Sequence, residues 1–298
     1  MFLYRGGELI STHSSSSSVR GRPVWLKKKV NIRENEKLEK MLSGLKLRTI
    51  CGEALCPNIT ECYGRKQATF MILGRICTRN CRFCNVEKGR PEIPDPSEPG
   101  RVAEASRRLN LKHVVVTSPA RDDLPDGGAG VFAETITVLK KNNNSPAVEV
   151  LIPDFRGNTE SVLKVICAEP DIIGHNLETV RRLYRIRQGA DYDMSLTVLK
   201  KIKQSAPGIK TKSGIMLGLG ERGREVLELM GDLLDAGVRF LSVGQYLSPG
   251  GSSLPVREFV HPERFQDYKK KALSMGFLHV ESSPYTRSSY HAEDYLEK

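Results

Sequence analysis

The sequence predicts an α/β fold, a partial (β/α)6 barrel of the TIM type with an extension at each end. Short apolar runs that are typical of buried strands recur along the chain, and segments with helical periodicity separate them. Strands that are joined through helices run parallel with right-handed crossovers, which is the arrangement of a βα barrel. The 298 residues suit one barrel domain. Because the sequence shows six strand–helix units and a closed barrel needs eight, we expect a barrel that stays open.

Each strand and helix is placed by its own apolar pattern. The strands are predicted at Ala68–Gly74, His113–Thr117, Val148–Ile152, Ile172–Gly174, Ser213–Leu217 and Phe240–Val243. The helices between them are predicted at Val102–Leu109, Val131–Lys141, Thr159–Ala168, Met194–Gln204 and Glu225–Ala236. Because βα barrels gather their chemistry at the C-terminal ends of the strands, we expect the loops after these strands to line one opening.

The pattern divides the chain into four segments. A disordered tail is predicted over residues 1–22 and an N-terminal extension over 23–67. The barrel follows over 68–276, and a C-terminal extension occupies 277–298. Neither extension carries the strand–helix alternation of the middle segment. We expect both to wrap the barrel.

The first residues are rich in serine and poor in acid. Five serines stand together at Ser14–Ser18, and residues 1–29 contain a single acidic residue, Glu8. Such a start is typical of organelle transit peptides. The segment has no convincing amphipathic helix and no secretory apolar core, which favours a disordered tail on a cytoplasmic protein.

Composition limits the classes of function. The chain is 39% hydrophobic, enough for a core, and it has no apolar run approaching the ~18 residues of a membrane span, so we expect a soluble protein. With 46 Lys and Arg against 35 Asp and Glu, the net charge is +11. An acidic partner is therefore favoured: nucleic acid, a phosphorylated cofactor or an acidic protein. No nucleic-acid-binding motif with interleaved aromatics is present, so nucleic acid is not predicted.

Cysteine spacing points to the chemistry. Six of the seven cysteines form two groups of three, which are Cys77, Cys81 and Cys84 and, upstream, Cys51, Cys56 and Cys62. Thiolates are soft ligands that suit iron, and three in a short loop can bind three corners of a cubane iron–sulfur cluster. A missing fourth cysteine leaves one iron open for a substrate or cosubstrate. The sequence therefore predicts two such clusters.

Other uses of the cysteines fit less well. Structural zinc sites have paired Cys-x2-Cys knuckles or histidines at ligand spacing, and neither group has such a partner. A disulfide framework belongs to short secreted chains with an even cysteine count. The seventh cysteine, Cys167, lies in the apolar run Val162–Ala168 and is predicted to be a buried, inert helix residue.

Several motifs resemble those of a known family. Cys77-x3-Cys81-x2-Cys84 resembles the cluster motif of the radical S-adenosylmethionine (SAM) superfamily, and the stretch Arg48–Cys62 is similar to the signature of the lipoyl synthase family within it. The same resemblance continues through Arg121–Ala129, Gly174–Val180, Gly189–Tyr192, Gly244–Leu247 and Arg287–Ala292. It covers residues 23 to 292, nearly the whole chain.

The resemblance implies an activity and its cofactors. It implies two 4Fe-4S clusters and SAM, whose cleavage gives a 5′-deoxyadenosyl radical that removes hydrogen from unactivated carbon. In such enzymes sulfur enters at C6 and C8 of an octanoyl chain on a carrier-protein lysine, and the auxiliary cluster donates it. The resemblance also places a serine oxygen on the auxiliary cluster, which we assign to Ser289. An oxygen ligand suits iron less well than thiolate, so that corner should be labile; the alternative is a solvated, frayed terminus.

Contacts with SAM are predicted less directly. Asn176 and Glu178 stand at the fourth strand end, where ribose hydroxyls are expected, although Asn is also a common helix cap. Ser118 and Asp122 follow the second strand and are candidates for the methionine amino group, or else ordinary turn residues. Arg187 has a guanidinium suited to a carboxylate, or is simply solvated.

Three positions depart from the family pattern as we expect it: Val131, Gln188 and Ser253. They leave the cysteines untouched and concern contacts with substrate and cofactor. Implied partners are an octanoylated, acidic carrier (the glycine cleavage H protein or the E2 component of a 2-oxoacid dehydrogenase), an electron donor such as ferredoxin or flavodoxin, and an iron–sulfur carrier for cluster repair. Two rival functions are a methylthiotransferase and a cluster-bearing electron carrier or redox sensor.

Overall fold

The computed structural model describes residues 2–5, 8–11, 21–27, 39–53, 56, 58–64, 69–142 and 146–290. Near the N-terminus, strands β1 (Phe2–Arg5) and β2 (Glu8–Ser11) pair antiparallel. Part of the segment that we predicted to be a disordered tail therefore has regular backbone. The serine run Ser14–Ser18 lies outside the described residues, as do parts of the predicted N-terminal extension.

One eight-stranded sheet forms the centre of the molecule. The strands that follow in the chain are β3 (Arg48–Thr49), β4 (Thr69–Met71), β5 (Ile76–Cys77), β6 (Glu87–Lys88), β7 (His113–Thr117), β8 (Ala147–Leu151), β9 (Ile172–Gly174), β10 (Lys210–Leu217), β11 (Phe240–Gln245) and β12 (His279–Ser282). The sheet order is β12-β11-β10-β9-β8-β7-β4-β3, while β5 and β6 form a separate parallel pair. From β4 to β12 all neighbours are parallel, and β3 joins the β4 edge antiparallel. All six predicted strands are present, and the open α/β barrel is confirmed.

Helices connect the strands as predicted, with small shifts at their ends. They are α1 (described over 39–44), α2 (Ile50–Glu53), α3 (Ile59–Gly64), α4 (Glu98–Leu109), α5 (Ala129–Lys140), α6 (Thr159–Cys167), α7 (Tyr192–Ser205), α8 (Gly223–Asp235) and α9 (Pro262–Met275). Side-chain caps fix two starts: Asn158 accepts a hydrogen bond from the Ser161 backbone at 3.2 Å, and Asp191 accepts one from Met194 at 2.8 Å.

Our sequence reading missed α9 and β12. The apolar stripe of α9 is thin, with Phe265, Tyr268 and Ala272 buried, and the run Lys269–Lys271 interrupts its pattern. The four residues of β12 include His279 and Glu281, so they do not look like an apolar strand. This strand lies in the predicted C-terminal extension but continues the barrel sheet.

The core lies between the sheet and the helices. Phe132 and Ile136 of α5 pack with the β7–β8 side of the sheet, and Leu229 and Met230 of α8 pack with the β10–β12 side. Because side chains alternate along a strand, the residues between these apolar positions face the barrel interior. Within the described residues, no helix is both long and apolar enough to cross a membrane.

The prediction for Cys167 is wrong, because this residue is exposed. Helix α6 buries Val162, Val165 and Ile166, which share one face. The next residue is rotated by roughly 100° around a helix of 3.6 residues per turn and therefore points to solvent.

Candidate active site

The first cysteine group lies in a loop at the C-terminal end of β4. Cys77 ends β5, and Cys81 and Cys84 follow in the turn before β6. Backbone hydrogen bonds tie this loop to neighbouring barrel loops, from Thr78 N to Ala120 O at 3.0 Å and from Arg82 N to Ile186 O at 2.9 Å. The loop is thereby fixed across the barrel mouth.

The three thiols of this loop lie close enough to influence one another. Burial raises the pKa of Cys81 to about 11, and the charges of Cys84 and Cys77 add to the rise while Arg187 opposes it. Burial also raises the pKa of Cys84. Thiols with raised pKa values are not reactive nucleophiles at neutral pH, whereas iron binding removes their protons and offsets the desolvation.

Arg79, inside the cysteine loop, is buried against two aspartates. It donates to Asp122 from Nε at 2.7 Å and from Nη2 at 2.8 Å, and to both carboxylate oxygens of Asp154 at 2.6 Å. Burial would raise the pKa of Asp154, but the guanidinium outweighs it and the pKa is lowered. Asp122, the predicted SAM contact, therefore already has a cationic partner. Arg79 was missed in the sequence because nothing in its spacing indicates two distant aspartates.

The predicted ribose contacts come together at the end of β9. Asn176 Nδ2 donates to Glu178 Oε1 at 3.0 Å. Glu178 adopts a positive φ of 67° and pairs with β10, accepting from Met216 N at 2.8 Å and donating to Gly214 O at 2.9 Å. Asn176 thus contacts the inner wall of the barrel and does not cap a helix. Burial raises the pKa of the Glu178 carboxyl despite the nearby Arg187.

Two buried donors, on Arg187 and Ser118, have no partner among the described residues. Arg187 Nη1 donates to Asn176 O at 2.8 Å and Leu177 O at 3.3 Å, whereas its Nε has no partner among the described residues. The Ser118 hydroxyl is likewise buried and unpartnered within the described part of the chain. Buried polar groups without partners are costly and usually mark a bound water, ion or ligand. These donors fit the amino acid end of SAM.

The second cysteine group lies on the other side of β4. Cys51 is on α2, Cys56 follows that helix, and Cys62 is on α3. The backbone of Cys56 donates to Cys51 O at 2.9 Å, and Cys62 N donates to Asn58 O at 2.9 Å. Burial raises the pKa of Cys51 to about 11, and the charge of Cys56 contributes. The short helices therefore hold these thiols as a group.

The C-terminal segment reaches this second group. Thr69, the first residue of β4, donates to Ser289 Oγ at 2.6 Å and also hydrogen-bonds Cys51. Tyr290 Oη donates to Glu61 Oε1 at 2.9 Å, next to Cys62 in sequence. Ser289 and Cys51 thus share Thr69 as a hydrogen-bond partner. Thr69 had no signal in the sequence beyond its place in an apolar run.

Further interactions connect the C-terminal segment with the second cysteine group and with Glu178. Asn58 Nδ2 donates to Tyr285 O at 2.6 Å. Burial lowers the pKa of Arg287, although the charges of Cys56, Tyr285 and Glu178 act in the opposite direction. One cation therefore lies within electrostatic range of an auxiliary cysteine and of a predicted ribose contact.

The thiols fit clusters better than single metal ions. Among the described residues, no three His, Cys, Asp or Glu side chains are placed to hold one ion together. In a cubane cluster each thiolate binds a different iron, so its ligands stand further apart than those of a single zinc ion. The purely thiolate trios are also the donor type that iron–sulfur clusters use.

A cavity of about 220 Å³ opens beside the first cysteine loop. It is lined by Asn80, Arg82, Lys88, Gln188, Ser252 and Ser253. Two of the three departures from the expected family pattern, Gln188 and Ser253, therefore meet at one place. The third, Val131, lies on α5. The cavity combines two cations with four neutral hydrogen-bonding side chains, so it suits an anionic group.

Comparison with known sequences identifies the family. The sequence profile of the radical SAM superfamily matches residues 71–233, which is more than half of the chain. A lipoyl synthase from Geobacter metallireducens is 57% identical over 92% of this chain and 97% of its own length. One from Caldanaerobacter subterraneus is 54% identical over 91% of this chain and 96% of its own length. The chain belongs to the lipoyl synthase family. Its predicted enzyme class, a radical SAM enzyme that inserts sulfur, is confirmed.

Solved structures agree on the fold of this lipoyl synthase family member. Streptococcus suis SuiB bound to S-adenosylmethionine superposes with a TM-score of 0.55 at 12% identity, over 74% of this chain and 53% of SuiB. The FeFe-hydrogenase maturase HydG from Carboxydothermus hydrogenoformans gives 0.54 at 12% identity, over 90% of this chain and 79% of HydG. At such low identity the likeness concerns the barrel alone. Family membership implies a 4Fe-4S cluster and SAM, and action on lipoyl-carrier substrates.

Proposed function

We propose that the chain carries two 4Fe-4S clusters and inserts two sulfur atoms, at C6 and C8 of an octanoyl chain on a carrier-protein lysine. The observation that supports the proposal is that Thr69 hydrogen-bonds both Cys51 and, at 2.6 Å, Ser289. An electron carrier has no need of a weak oxygen ligand delivered from the far end of the chain. A cluster that is dismantled to supply sulfur does need such a labile corner.

Different residues of the barrel mouth would bind different parts of SAM. Cys77, Cys81 and Cys84 would hold the first cluster and leave its fourth iron free for the amino and carboxylate groups of SAM. We assign the carboxylate of SAM to Arg187 Nε and its amino group to the Ser118 hydroxyl, because neither atom has a partner among the described residues. When bound, cluster and cofactor supply the radical that removes hydrogen from unactivated carbon. No side chain of the protein can do this by proton transfer, because an alkyl C–H has no accessible pKa.

The nucleoside end is assigned to Asn176 and Glu178. Both are polar side chains on the inner wall next to the cysteine loop, and their mutual hydrogen bond of 3.0 Å orients them together. Asp122 serves in a different way from our first expectation. Its carboxylate and that of Asp154 hold Arg79, so it positions the cysteine loop.

The second group would hold the auxiliary cluster through Cys51, Cys56, Cys62 and Ser289. Thr69 hydrogen-bonds both Cys51 and Ser289, so one residue of the barrel fixes the thiolate side and the oxygen side together. The serine is half-buried and its hydroxyl accepts a neutral hydrogen bond, which leaves it weakly held. This corner is where the cluster would open.

Partners are proposed from charge. The net charge of +11 and the cationic cavity with Arg82 and Lys88 favour acidic proteins, through faster association more than through affinity. An octanoylated carrier such as the glycine cleavage H protein or a 2-oxoacid dehydrogenase E2 component fits, as does a ferredoxin or flavodoxin reductant. An iron–sulfur carrier would rebuild the auxiliary cluster, and a cytoplasmic location is part of the proposal.

The test is a mass spectrum of an octanoyl-lysine peptide after anaerobic incubation with cluster-loaded protein, SAM and dithionite. We expect a gain of two sulfurs by way of a singly thiolated intermediate. An unchanged peptide with abundant 5′-deoxyadenosine would overturn the proposed substrate. It would favour another sulfur-inserting reaction such as methylthiolation. If protein with loaded clusters forms neither product, the proposed reaction is overturned, and an electron carrier or redox sensor is favoured.

A further inference from the structure

The C-terminal segment lies against the inner wall of the barrel where glycines make room for it. A Cβ on Gly244 of β11 would stand 2.1 Å from the Thr286 carbonyl oxygen. A Cβ on Gly214 of β10 would stand 2.8 Å from Asn176 Oδ1 and 3.3 Å from Ser288 Oγ. The segment that ends in Ser289 is therefore packed into the same space as the predicted ribose contact.

A single amide joins the two predicted sites. Asn176 Nδ2 donates to Ser288 Oγ at 2.6 Å and to Glu178 Oε1 at 3.0 Å. An amide nitrogen carries two hydrogens, so both are in use. Ser288 is the residue directly before the proposed oxygen ligand Ser289. Any ligand that accepts a hydrogen bond from Asn176 Nδ2 must therefore displace either Glu178 or Ser288.

The two bonds are not equal. The one to Glu178 is to a carboxyl group and, when that group is ionised, is the stronger of the two. The one to Ser288 joins two neutral groups and is worth less. A ribose hydroxyl that accepts a hydrogen bond from Asn176 Nδ2 will therefore replace Ser288 first.

We propose that SAM binding releases Ser288 from Asn176 and thereby loosens Ser289 on the auxiliary cluster. The inference rests on the proposed function, since it assumes SAM at Asn176 and a cluster at Ser289. It makes Ser288 a positioning residue, which touches neither SAM nor iron. The labile corner then opens only when the radical source is in place, and an idle enzyme keeps its sulfur donor intact.

Coupling of this kind is reciprocal. Because SAM must break the Asn176–Ser288 hydrogen bond in order to bind, a protein without the Ser288 hydroxyl should bind SAM more tightly, by the free energy of that bond. One neutral hydrogen bond corresponds to a change of about fivefold. Two quantities are therefore measured separately: the rate at which auxiliary iron is released and the affinity of the protein for SAM.

The experiment compares full-length, cluster-loaded wild type with Ser288→Ala and the control Ser283→Ala. Ser283 lies in the same segment, and its hydroxyl bonds Thr286 at 3.0 Å instead of Asn176. Iron release to a chelator is followed anaerobically, with and without SAM and with no reductant. A variant lacking Cys51, Cys56 and Cys62 releases iron from the first cluster alone. Its iron release is subtracted from the total to give the release of auxiliary iron. Equilibrium dialysis gives the SAM dissociation constant.

We expect SAM to speed release of auxiliary iron about fivefold in wild type and in Ser283→Ala. In Ser288→Ala, release should be fast with or without SAM, and SAM should bind about fivefold more tightly. If SAM leaves the release of auxiliary iron from wild type unchanged, or slows it, the inference is overturned. The proposed function would still stand. Unchanged SAM affinity in Ser288→Ala overturns it as well. A wild type with no second pool of iron would instead overturn the proposed function.

Discussion

The two cysteine groups are held by different kinds of structure. Cys77, Cys81 and Cys84 lie within one loop, which Arg79 fastens to the barrel through two buried carboxylates. The second group spans two short helices, and its proposed fourth ligand is Ser289, which lies 220 residues beyond the Thr69 that contacts it. The first site is thus local and rigid, whereas the second is assembled by folding.

This difference matches the demands on the two sites. A cluster that returns to its starting state after each turnover benefits from a fixed loop with a buried ion-pair network. A cluster that gives up its sulfur must be opened, and a ligand on the C-terminal segment can leave without disturbing the barrel. We infer that the distance in sequence between Ser289 and its cysteines is what makes this corner separable.

The sharpest way to separate the two groups is to remove a cysteine from each. Cys77→Ala should abolish 5′-deoxyadenosine formation and sulfur insertion together, because the open iron that binds SAM depends on that loop. The measurement is 5′-deoxyadenosine by chromatography after anaerobic turnover. Substantial 5′-deoxyadenosine from this variant would contradict the assignment of the first group.

The companion change is Cys51→Ala in the second group. It should leave 5′-deoxyadenosine formation within about twofold of wild type but abolish sulfur insertion into an octanoyl-lysine peptide. The two products are measured in the same reaction. Sulfur insertion that survives Cys51→Ala, and equally Cys56→Ala and Cys62→Ala, would refute a donor cluster at this site. Cys167→Ala is the matched control, because Cys167 is exposed and distant in sequence from both groups.

The two groups were not equally readable in the sequence. Spacing alone indicated both sets of thiols, since gaps of two to five residues are a local property that the fold preserves. Ser289 became a candidate through family resemblance, because no spacing rule connects it to Cys51. Arg79 and Thr69 gave no signal at all. Their roles depend on Asp154 and Ser289, which only the folded chain brings to them.

The fold shows the same limit. Six strands were found because each is a short apolar run, while β12 was missed because His279 and Glu281 make it polar. This strand is the edge of the sheet and pairs with β11, a partner that a local pattern cannot show. Cys167 was misplaced for a related reason: an apolar run does not say which of its residues face the core.

A third change tests the rigidity of the first site. Arg79→Met leaves the fully buried Asp154 without its cation, which should lower the free energy of unfolding by about 3–5 kcal/mol. Because the pKa of Asp154 is lowered in the folded protein, the stabilisation is present above the ordinary carboxyl pKa of about 4 and lost as the pH falls. Anaerobic urea unfolding from neutral to acidic pH measures both effects. The exposed Arg82→Met in the same loop is the control and should change stability by no more than ~0.5 kcal/mol.

Gly244→Ala tests how the C-terminal segment packs against β11. The added methyl would overlap the Thr286 carbonyl, so the segment must shift and take Ser289 with it. We expect faster loss of auxiliary iron with 5′-deoxyadenosine formation retained. Gly231→Ala on α8 is the control, since a Cβ there meets nothing within 4 Å. Equal iron retention in both variants would show that the packing of Thr286 against Gly244 does not help to retain auxiliary iron.

The smallest effect is expected from Tyr290→Phe. It removes the hydrogen bond to Glu61 at 2.9 Å, worth about 1 kcal/mol. Auxiliary iron should leave up to about fivefold faster, while release from the first cluster stays unchanged. A matching increase in both pools would mean that Tyr290 acts on the stability of the whole barrel instead of on the second site.

The most direct measurement traces the sulfur. Protein is loaded with clusters made from iron and 34S-sulfide, freed of excess sulfide, and given SAM, dithionite and an octanoyl-lysine peptide for a single turnover. We expect both sulfur atoms in the wild-type product to be 34S, and we expect protein lacking Cys51, Cys56 and Cys62 to leave the peptide unmodified. Product sulfur of natural isotopic composition, or labelled product from the triple variant, would contradict a donor cluster held by these cysteines and Ser289.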